Sequence, residues 1–199
     1  MDETKRCVWP NEKDDLMIEY HDKEWGTPCH DDGILFEYFL LDTFQAGLSW
    51  RTILHKRENF RKAFGDFNPI KISKYTEEDV MGLMNNAGII RNRLKILSTI
   101  TNSQKFLEIQ KEFETFDKYI WQFTNHKTIN SNFKKHEKIP AKTKESDAME
   151  KDLRKRGFKF IGSTICYAFM QGAGMTNDHL VECFRHGEID DKHRKNQAK

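Results

Sequence analysis

The chain has 199 residues, 37% of them hydrophobic and 12% aromatic, and its formal net charge is +2. This length accommodates one domain or two small lobes around a real core, and the near-neutral charge excludes a histone-like electrostatic binder while permitting a local basic face. The sequence has no uncharged apolar run of membrane-spanning length and no signal-peptide core at its start, so we expect a cytoplasmic protein without membrane association.

The first strong helical pattern leads into residues 42–50. Apolar residues at helical spacing from Ile34 onward predict a helix over residues 33–45 that faces a core. Gly47 then frees the backbone, and Trp50 closes the segment. The carboxylate of Asp42, a flexible tip and an indole suit a pocket for a flat ligand. The alternative is a buried helix that ends at a glycine cap.

The next elements predict a helical hairpin. A helix is predicted over residues 51–64. Thr76 precedes three acidic residues and is therefore the predicted N-cap of another helix, which stops at Gly88. A new periodic segment starts at once at Ile90, so we predict two helices joined by a short turn over residues 86–89.

The remaining pattern is also helical. Helices are predicted over residues 103–113, 116–124 and 164–171, from Ser146 to Gly157, and from Asn177 through Cys183. The lysine-rich residues 125–145 predict a loop, and no segment predicts a strand. We therefore predict an all-α fold in which residues 1–185 form one compact unit and the charged residues 186–199 form a disordered tail.

Cations follow the predicted hairpin directly. Arg91, Arg93 and Lys95, together with the free N–H groups of a tight helix–glycine–helix turn, are suited to binding phosphates. The alternative is an ordinary helical hairpin with a solvated basic face. A second basic cluster concentrates charge on a nearly neutral chain and favours nucleic-acid binding; it comprises Lys151, Arg154, Lys155, Arg156 and Lys159.

Cysteine and histidine residues recur near both ends of the chain. His179 and Cys183 are four residues apart and would share one face of the predicted helix. Cys7 and His21 form a matching pair near the other end. Two cysteines and two histidines would make a closed, structural zinc site that ties the two ends together. The alternative is that each side chain only packs in a core.

Two catalytic alternatives are set aside. A zinc deaminase requires an H-x-E pattern and a downstream P-C-x-x-C pattern; His186 and Glu188 supply the first, but Asp32 stands where the second cysteine after Cys29 is needed, and the order is reversed. A thiol enzyme built on Cys29 or Cys166 lacks a histidine or other base at an interpretable spacing.

Aromatic residues cluster around these candidate ligands and Asp42. Aromatic rings stack on nucleobases and attract a cationic ring more strongly. The alternative is that they form an aromatic core. The residues are Trp9, Tyr20, Trp25 and Trp50.

Taken together, the sequence resembles the 3-methyladenine-DNA glycosylase I family, bacterial base-excision repair enzymes of the helix-hairpin-helix superfamily. The similarity runs from Cys7 to about Cys183. The motifs that carry it are Tyr20-His21-Asp22, Glu24-Trp25-Gly26, Gln45-Ala46-Gly47-Leu48-Ser49-Trp50, Ala87-Gly88-Ile89-Ile90-Arg91, Arg156-Gly157-Phe158-Lys159-Phe160, Thr164-Ile165-Cys166-Tyr167, Phe169-Met170-Gln171 and Asn177-Asp178-His179.

The resemblance implies a fold, a cofactor and a set of site residues. The fold would be two-lobed and helical, with one structural Zn²⁺ held by Cys7, His21, His179 and Cys183. The base pocket would comprise Trp50, which stacks on the flipped adenine, Tyr20 and Asp42, which bond its edge, and Trp9 and Trp25 in the aromatic wall. DNA contacts would come from Gln45, Gly47 and Leu48 at the gap in the duplex, and from the hairpin residues Gly88, Arg91 and Arg93.

The implied activity is hydrolysis of the N-glycosidic bond of 3-methyladenine in double-stranded DNA by a monomer that flips the base. Asp42 and Tyr20 are the candidate catalytic residues; we assign Asp42 to recognition and electrostatic support and leave a general-base role open. Since the matched pocket positions hold no lysine, we predict no Schiff base and no strand cleavage.

The sequence departs from the family at three places in this region. Position 42 is Asp where the family typically has Glu, and Met17 stands where well-known members have a Tyr. Thr43 and Phe44 replace smaller and more polar residues. These changes bear on selectivity among N-alkylated purines. The changes at Asp42 and Met17 also favour the competing hypothesis, a non-catalytic zinc-stabilised DNA-binding protein, against which the retained Tyr20, Trp25 and Trp50 argue.

Overall fold

The computed structural model describes residues 4–189. None of the described helices combines the length and the apolar character that crossing a bilayer requires. Residues 184–189 are also helical. In chain order the elements are α1 (Asp15–Lys23), α2 (Asp32–Gln45), α3 (Trp50–Leu54), α4 (Arg57–Ala63), α5 (Pro69–Ile72), α6 (Glu77–Asn85), α7 (Arg93–Phe113), α8 (Phe116–Trp121), a 3₁₀ turn (Gln122–Thr124), β1 (Ile129–Asn130), a second 3₁₀ turn (His136–Lys138), α9 (Lys144–Lys155), α10 (Ser163–Gly172) and β2 (Thr176–Asn177).

Helix α2 is the central element, which confirms the helix predicted over residues 33–45. Asp31 caps it by accepting a hydrogen bond from the backbone N–H of Ile34. Ten consecutive residues, 35–44, are buried because α3, α7, α8 and α10 pack around the helix. The surrounding core is rich in phenylalanine; Phe36 and Phe106, for example, have ring centroids 4.6 Å apart.

Several predicted helix boundaries are wrong. The helix predicted over residues 51–64 is divided into α3 and α4. The segments predicted from Ile90 and over 103–113 form one 21-residue helix, α7, which begins at Arg93 after the N-cap Asn92. The predicted N-cap Thr76 is confirmed, and it forms a reciprocal capping box with Asp79.

The predicted loop over residues 125–145 contains structure that the sequence did not indicate. Strands β1 and β2 form a two-residue parallel pair in which Ile129 lies opposite Thr176. The N-cap of helix α9 lies three residues before the predicted Ser146, because Thr143 caps the helix and Ser146 completes the capping box. The prediction that the chain has no strand is therefore wrong, although the fold remains helical.

The segment after α10 also differs from its prediction. Residues 177–183 are not a helix; they form the end of β2 and a series of turns. Residues 184–189 are helical, and Ile189 is buried, so the ordered unit extends past the predicted boundary at residue 185. The remainder of the predicted tail, residues 190–199, lies outside the described residues.

Candidate functional site

A cavity of about 310 Å³ opens between α1, α2, α3, α10 and the loop that precedes α9. Its size is close to the lower end of the range for small-molecule sites. Six of the site residues predicted from the sequence line it. The lining consists of Trp9, Tyr20, Trp25, Asp42, Gln45, Trp50, His136, Ile139, Pro140, Ala141, Thr164, Tyr167, Ala168 and Gln171.

One side of the cavity is an aromatic wall. The ring centroids of Tyr20 and Trp50 are 5.0 Å apart, and those of Trp9 and Trp25 are 5.1 Å apart. Trp9 also meets Tyr20 edge-on at 6.3 Å. The four rings that the sequence singled out therefore form one contiguous surface, and such a surface is suited to a flat ring, most of all a cationic one.

The ring pair at the cavity is held by an ion cluster outside it. Tyr20 lies on α1 and Trp50 begins α3, and Asp14 connects these helices. The Asp14 carboxylate accepts hydrogen bonds from Arg51 at 2.5 Å and from His55 at 2.9 Å. These bonds, from His55 and Arg51, lower the pKa of Asp14 to about 2. The cluster thus fixes the angle at which the two aromatic helices meet.

Asp42 is the acidic residue of the cavity. It lies on α2 and is only 5% exposed. Within residues 4–189, no hydrogen bond to its carboxylate and no ion pair with it is formed. Burial raises the pKa of Asp42 well above its ordinary value. A buried carboxylate without a partner is costly, so this group is suited to a ligand that brings positive charge or N–H donors.

Other polar atoms of the cavity lining also lack partners in the described part of the chain. They are the indole Nε1 atoms of Trp9 and Trp50 and the Oε1 atom of Gln45, all of them buried. Buried polar groups in native proteins are normally hydrogen-bonded. An accumulation of unpaired donors and acceptors beside Asp42 therefore indicates that the cavity is built to receive a polar ligand.

A second part of the cavity wall comes from residues that sequence reasoning missed. His136, Ile139 and Pro140 belong to the predicted loop, and Tyr167 and Gln171 lie on α10. The family motifs around α10 were the one available signal for Tyr167 and Gln171. The loop has no hydrophobic periodicity from which its contribution to the cavity could have been predicted.

This wall is fixed by a buried carboxylate, Asp178. It accepts hydrogen bonds from Tyr167 at 2.5 Å, from Gln171 at 2.8 Å and from Ser131 at 2.5 Å. Asp178 thereby connects α10 to the loop and to the segment that carries His179.

The four predicted metal ligands converge behind the aromatic wall. The ligand atoms of Cys7, His21, His179 and Cys183 all lie within 4.8 Å of one another, and all four residues are buried. His179 Nδ1 lies 3.6 Å from Cys7 Sγ and 3.5 Å from Cys183 Sγ, and His21 Nε2 lies 3.6 Å from Cys183 Sγ. Tetrahedral zinc with ordinary Zn–S and Zn–N bond lengths requires S···N separations of about 3.5 Å. The donor set and its spacing fit that ion.

Outer contacts orient both imidazoles. His21 Nδ1 is 2.7 Å from Asp22, which Arg6 binds with two nitrogens. His179 Nε2 is 2.9 Å from the backbone oxygen of Trp25. Each histidine therefore has its second nitrogen occupied and its first directed at the cluster, which is the usual arrangement around a metal.

The pKa values of the two thiols in this cluster shift in opposite directions. The pKa of Cys183 is lowered by hydrogen bonds from Cys7 and from the two histidines, and the pKa of Cys7 is raised. The sequence expectation that His179 and Cys183 share a helix face is wrong, since they lie in turns, but the pairing it predicted is present.

The cluster and the cavity share side chains. The Trp25 ring lies 4.6 Å from the His179 ring and 6.2 Å from the His21 ring, and Trp9 lies 5.4 Å from His21. The aromatic wall therefore rests directly on the metal-ligand cluster.

The predicted tip after α2 is exposed. Gly47 adopts φ +79°, a conformation that favours glycine, and Leu48 is 40% exposed. Lys95 does not face solvent as the basic-face hypothesis required. It is 5% exposed, and its ammonium donates to the backbone oxygens of Phe44 at 2.8 Å and Ala46 at 2.6 Å. Lys95 thus caps α2 and fixes the tip.

The turn between α6 and α7 brings only part of its predicted set to the surface. The Gly88 N–H donates to the Asn86 side chain at 2.8 Å. Arg93 forms a two-nitrogen ion pair with Glu77 at 2.7 and 2.9 Å. Arg91 is exposed and has no ion-pair partner in the described part of the chain.

The remaining cysteines carry no candidate chemistry. Cys166 is buried, and burial raises its pKa to about 12. Burial also raises the pKa of Cys29. A thiol nucleophile requires a lowered pKa, so these environments agree with setting aside a thiol enzyme.

Comparison with known proteins points to one family. Residues 9–186 match the family model described as methyladenine glycosylase. The chain is 48% identical over 179 residues to DNA-3-methyladenine glycosylase 1 of Escherichia coli (strain K12), which covers 90% of this chain and 95% of that protein. It is 47% identical over 180 residues to DNA-3-methyladenine glycosylase of Haemophilus influenzae, covering 90% and 97%.

Solved structures agree with the sequence similarity. A crystal structure of 3-methyladenine DNA glycosylase I superposes with a TM-score of 0.88 at 47% identity, covering 90% of this chain and 98% of that chain. A Staphylococcus aureus 3-methyladenine DNA glycosylase I, solved to show the structural basis of 3-methyladenine recognition, superposes with a TM-score of 0.87 at 32% identity, covering 91% and 96%.

Proposed function

Because this chain belongs to the methyladenine glycosylase family, we propose that it is a DNA-3-methyladenine glycosylase of base-excision repair. It hydrolyses the N-glycosidic bond of N3-alkylated adenine and leaves the DNA strand intact. The observation that carries this proposal is the unpaired, buried carboxylate of Asp42 inside an aromatic cavity. That combination suits a flat, positively charged base and is costly with a neutral apolar occupant.

Recognition follows from the charge of the damaged base. Alkylation at N3 makes the adenine ring of the nucleoside cationic. Trp50 would stack on this ring, and Tyr20 and Asp42 would bond its edge, with Trp9 and Trp25 closing the wall. Cation–π attraction and the carboxylate both favour the cationic base over neutral adenine. Extrusion from the duplex costs a few kcal/mol, and it costs least for a damaged base.

Cleavage then requires little acid catalysis. The C1′–N9 bond breaks, and its electron pair moves into the cationic base and neutralises it. A water oxygen bonds to C1′, and that water releases one proton to the solvent. Asp42 supports the positive charge that moves from the base to the sugar. Among the described residues that line the cavity there is no lysine, which supports hydrolysis without a Schiff base.

We further propose that Cys7, His21, His179 and Cys183 hold one Zn²⁺. Four protein ligands fill a tetrahedral site and leave no position for water, so the ion supplies a rigid cross-link and not a reactive centre. The observed S···N separations and the two occupied outer nitrogens support this assignment.

For DNA contact, we propose that the α6–turn–α7 unit is a helix-hairpin-helix motif within a two-lobed fold. The turn at Gly88 and the exposed Arg91 would meet phosphates of double-stranded DNA. Arg93 would do so only by leaving Glu77. The exposed tip at Gly47 and Leu48, with the half-buried Gln45 beside the cavity, would fill the gap that the extruded base leaves. We expect the enzyme to act as a cytoplasmic monomer.

The test is base release from duplex DNA treated with a methylating agent, with freed purines separated by chromatography. Release of 3-methyladenine is the expected result. Release of 7-methylguanine as well would show that Asp42 and Met17 widen the range of substrates. A metal-loaded, folded protein that binds DNA and releases no purine would refute the proposal and leave the non-catalytic binding protein.

A further inference from the structure

A second cleft, of about 490 Å³, lies beside the base cavity. It runs between the N-terminal segment, the loop before α9 and the turns that carry the metal ligands. His136 lines both the cleft and the base cavity, so the two openings adjoin. The lining consists of Lys5, Arg6, Val8, Lys134, Lys135, His136, Glu137, Leu180, Glu182 and Cys183.

The charge of this cleft that is not neutralised by ion pairs is positive. Lys134 and Lys135 are exposed and form no ion pair with any residue in the range 4–189. Of the two carboxylates, Glu182 pairs with Lys5 at 3.3 Å, which leaves Glu137 to oppose the two lysines. Arg6 is engaged by Asp22 and contributes little.

The lysines stand on a backbone that is held in place. Val181 N–H donates to the Phe133 backbone oxygen at 2.9 Å, directly before Lys134. Earlier in the same segment, Thr128 Oγ1 donates to the Gly174 backbone oxygen at 2.8 Å, and Ser131 Oγ donates to Asp178. The ammonium groups are therefore presented from an ordered base and lose less freedom when they bind.

We propose that this cleft binds backbone phosphates of the damaged strand beside the extruded nucleotide, with Lys134 and Lys135 as the phosphate ligands. The inference rests on the proposed function, because it requires a nucleotide in the adjoining cavity. When a base enters that cavity, its sugar and flanking phosphates must lie at the cavity mouth. Lys134 and Lys135, in the cleft that adjoins this cavity at His136, would neutralise those phosphates and release counterions.

The experiment measures how the affinity for a methylated or abasic-analogue duplex depends on salt. Each neutralised phosphate contributes about 0.9 to the slope of log K against log salt, so Lys134→Ala/Lys135→Ala should reduce the slope by about 1.8. The affinity of the double variant should therefore be lower than that of the parent protein by a factor that is about tenfold smaller at 200 mM salt than at 50 mM salt. Glu182→Gln frees Lys5 and should steepen the slope by up to about 0.9.

Two controls separate this inference from the proposed function. Lys71→Ala/Lys74→Ala removes two exposed charges that line neither cavity and should leave the slope unchanged. Binding of free 3-methyladenine, followed by tryptophan fluorescence, should be the same in the Lys134/Lys135 variant and the parent. If the parent releases 3-methyladenine and the slopes of both cleft variants equal that of the parent, the cleft inference is overturned. If the parent releases none, the proposed function fails first.

Discussion

Replacing Asp42 by Asn should make the empty protein more stable and the enzyme less active. The substitution keeps the shape of the side chain and removes its ability to carry negative charge. Asp42 is buried without a hydrogen bond to its carboxylate among the described residues, so its charge stabilises nothing until a cation occupies the cavity. Sites that serve a ligand often carry such a cost in stability.

The sign of the pH dependence follows from the raised pKa of Asp42. Below the ordinary carboxyl pKa, near 4, the group is neutral in both the folded and the unfolded chain, and Asn should change little. As the pH rises, the unfolded chain ionises freely while the folded chain resists, so the parent protein loses stability relative to Asp42→Asn. Each pH unit by which burial raises the pKa of Asp42 costs the parent protein about 1.4 kcal/mol at high pH, and each kcal/mol shifts the melting temperature of such a chain by about 2–4 °C.

Thermal melts at pH 4 and pH 8 test the stability half of this prediction, and purine release at pH 8 tests the other half. A charge pair at about 4 Å in a medium of effective dielectric constant 20 is worth about 4 kcal/mol. Part of that energy only offsets the cost of ionising the buried Asp42. We therefore expect the rate of purine release to fall by roughly 10²-fold in Asp42→Asn. Asp66→Asn is the matched control, because Asp66 is exposed and its φ of 56° suits Asn. Equal melting temperatures together with undiminished release by Asp42→Asn would refute the reasoning.

Three further predictions concern the frame of the site. Removal of metal by a chelator, or Cys183→Ser, should lower the melting temperature and the metal content together; a protein that never contains metal and melts unchanged would contradict the zinc assignment. Gly174→Ala should destabilise by at least about 3 kcal/mol, because its Cβ would lie 2.3 Å from the backbone of residues 27 and 28 at φ +69°. Gly82→Ala, whose Cβ meets nothing within 4 Å, is the control in the same denaturant titration. Lys95→Met should cost about 1–3 kcal/mol and slow release from duplex DNA more than it weakens binding of the free base; an unchanged rate would show that the tip needs no anchor.

The sequence predicted best where a physical rule acts locally. Helix α2 was predictable because an unbroken apolar pattern is enough to specify a buried helix. Thr76 was predictable as a cap because the acidic residues that follow it stabilise the same helix end. Ser146 was misplaced because Thr143 and Ser146 both favour a cap, and only the reciprocal bonds decide between them.

Features that depend on distant partners were beyond local pattern. Nothing near Lys95 indicates that its ammonium reaches the end of another helix 49 positions earlier. The cavity wall at His136 and Ile139 comes from a polar segment whose position is set by the pairing of β1 with β2. The metal ligands were an intermediate case: residue types and spacing suggested two pairs, the resemblance joined them, and the structure brings all four together.

The ligand cluster also has a consequence for the order in which the protein matures. Its members Cys7 and His179 are 172 positions apart, so during synthesis the first pair waits until nearly all of the described chain has left the ribosome. The cavity wall at His136 is attached to the same late segment. A partly made chain therefore has Trp50 and Asp42 but no closed cavity, and capture of the proposed Zn²⁺ would coincide with the point at which the nascent polypeptide can first bind a base.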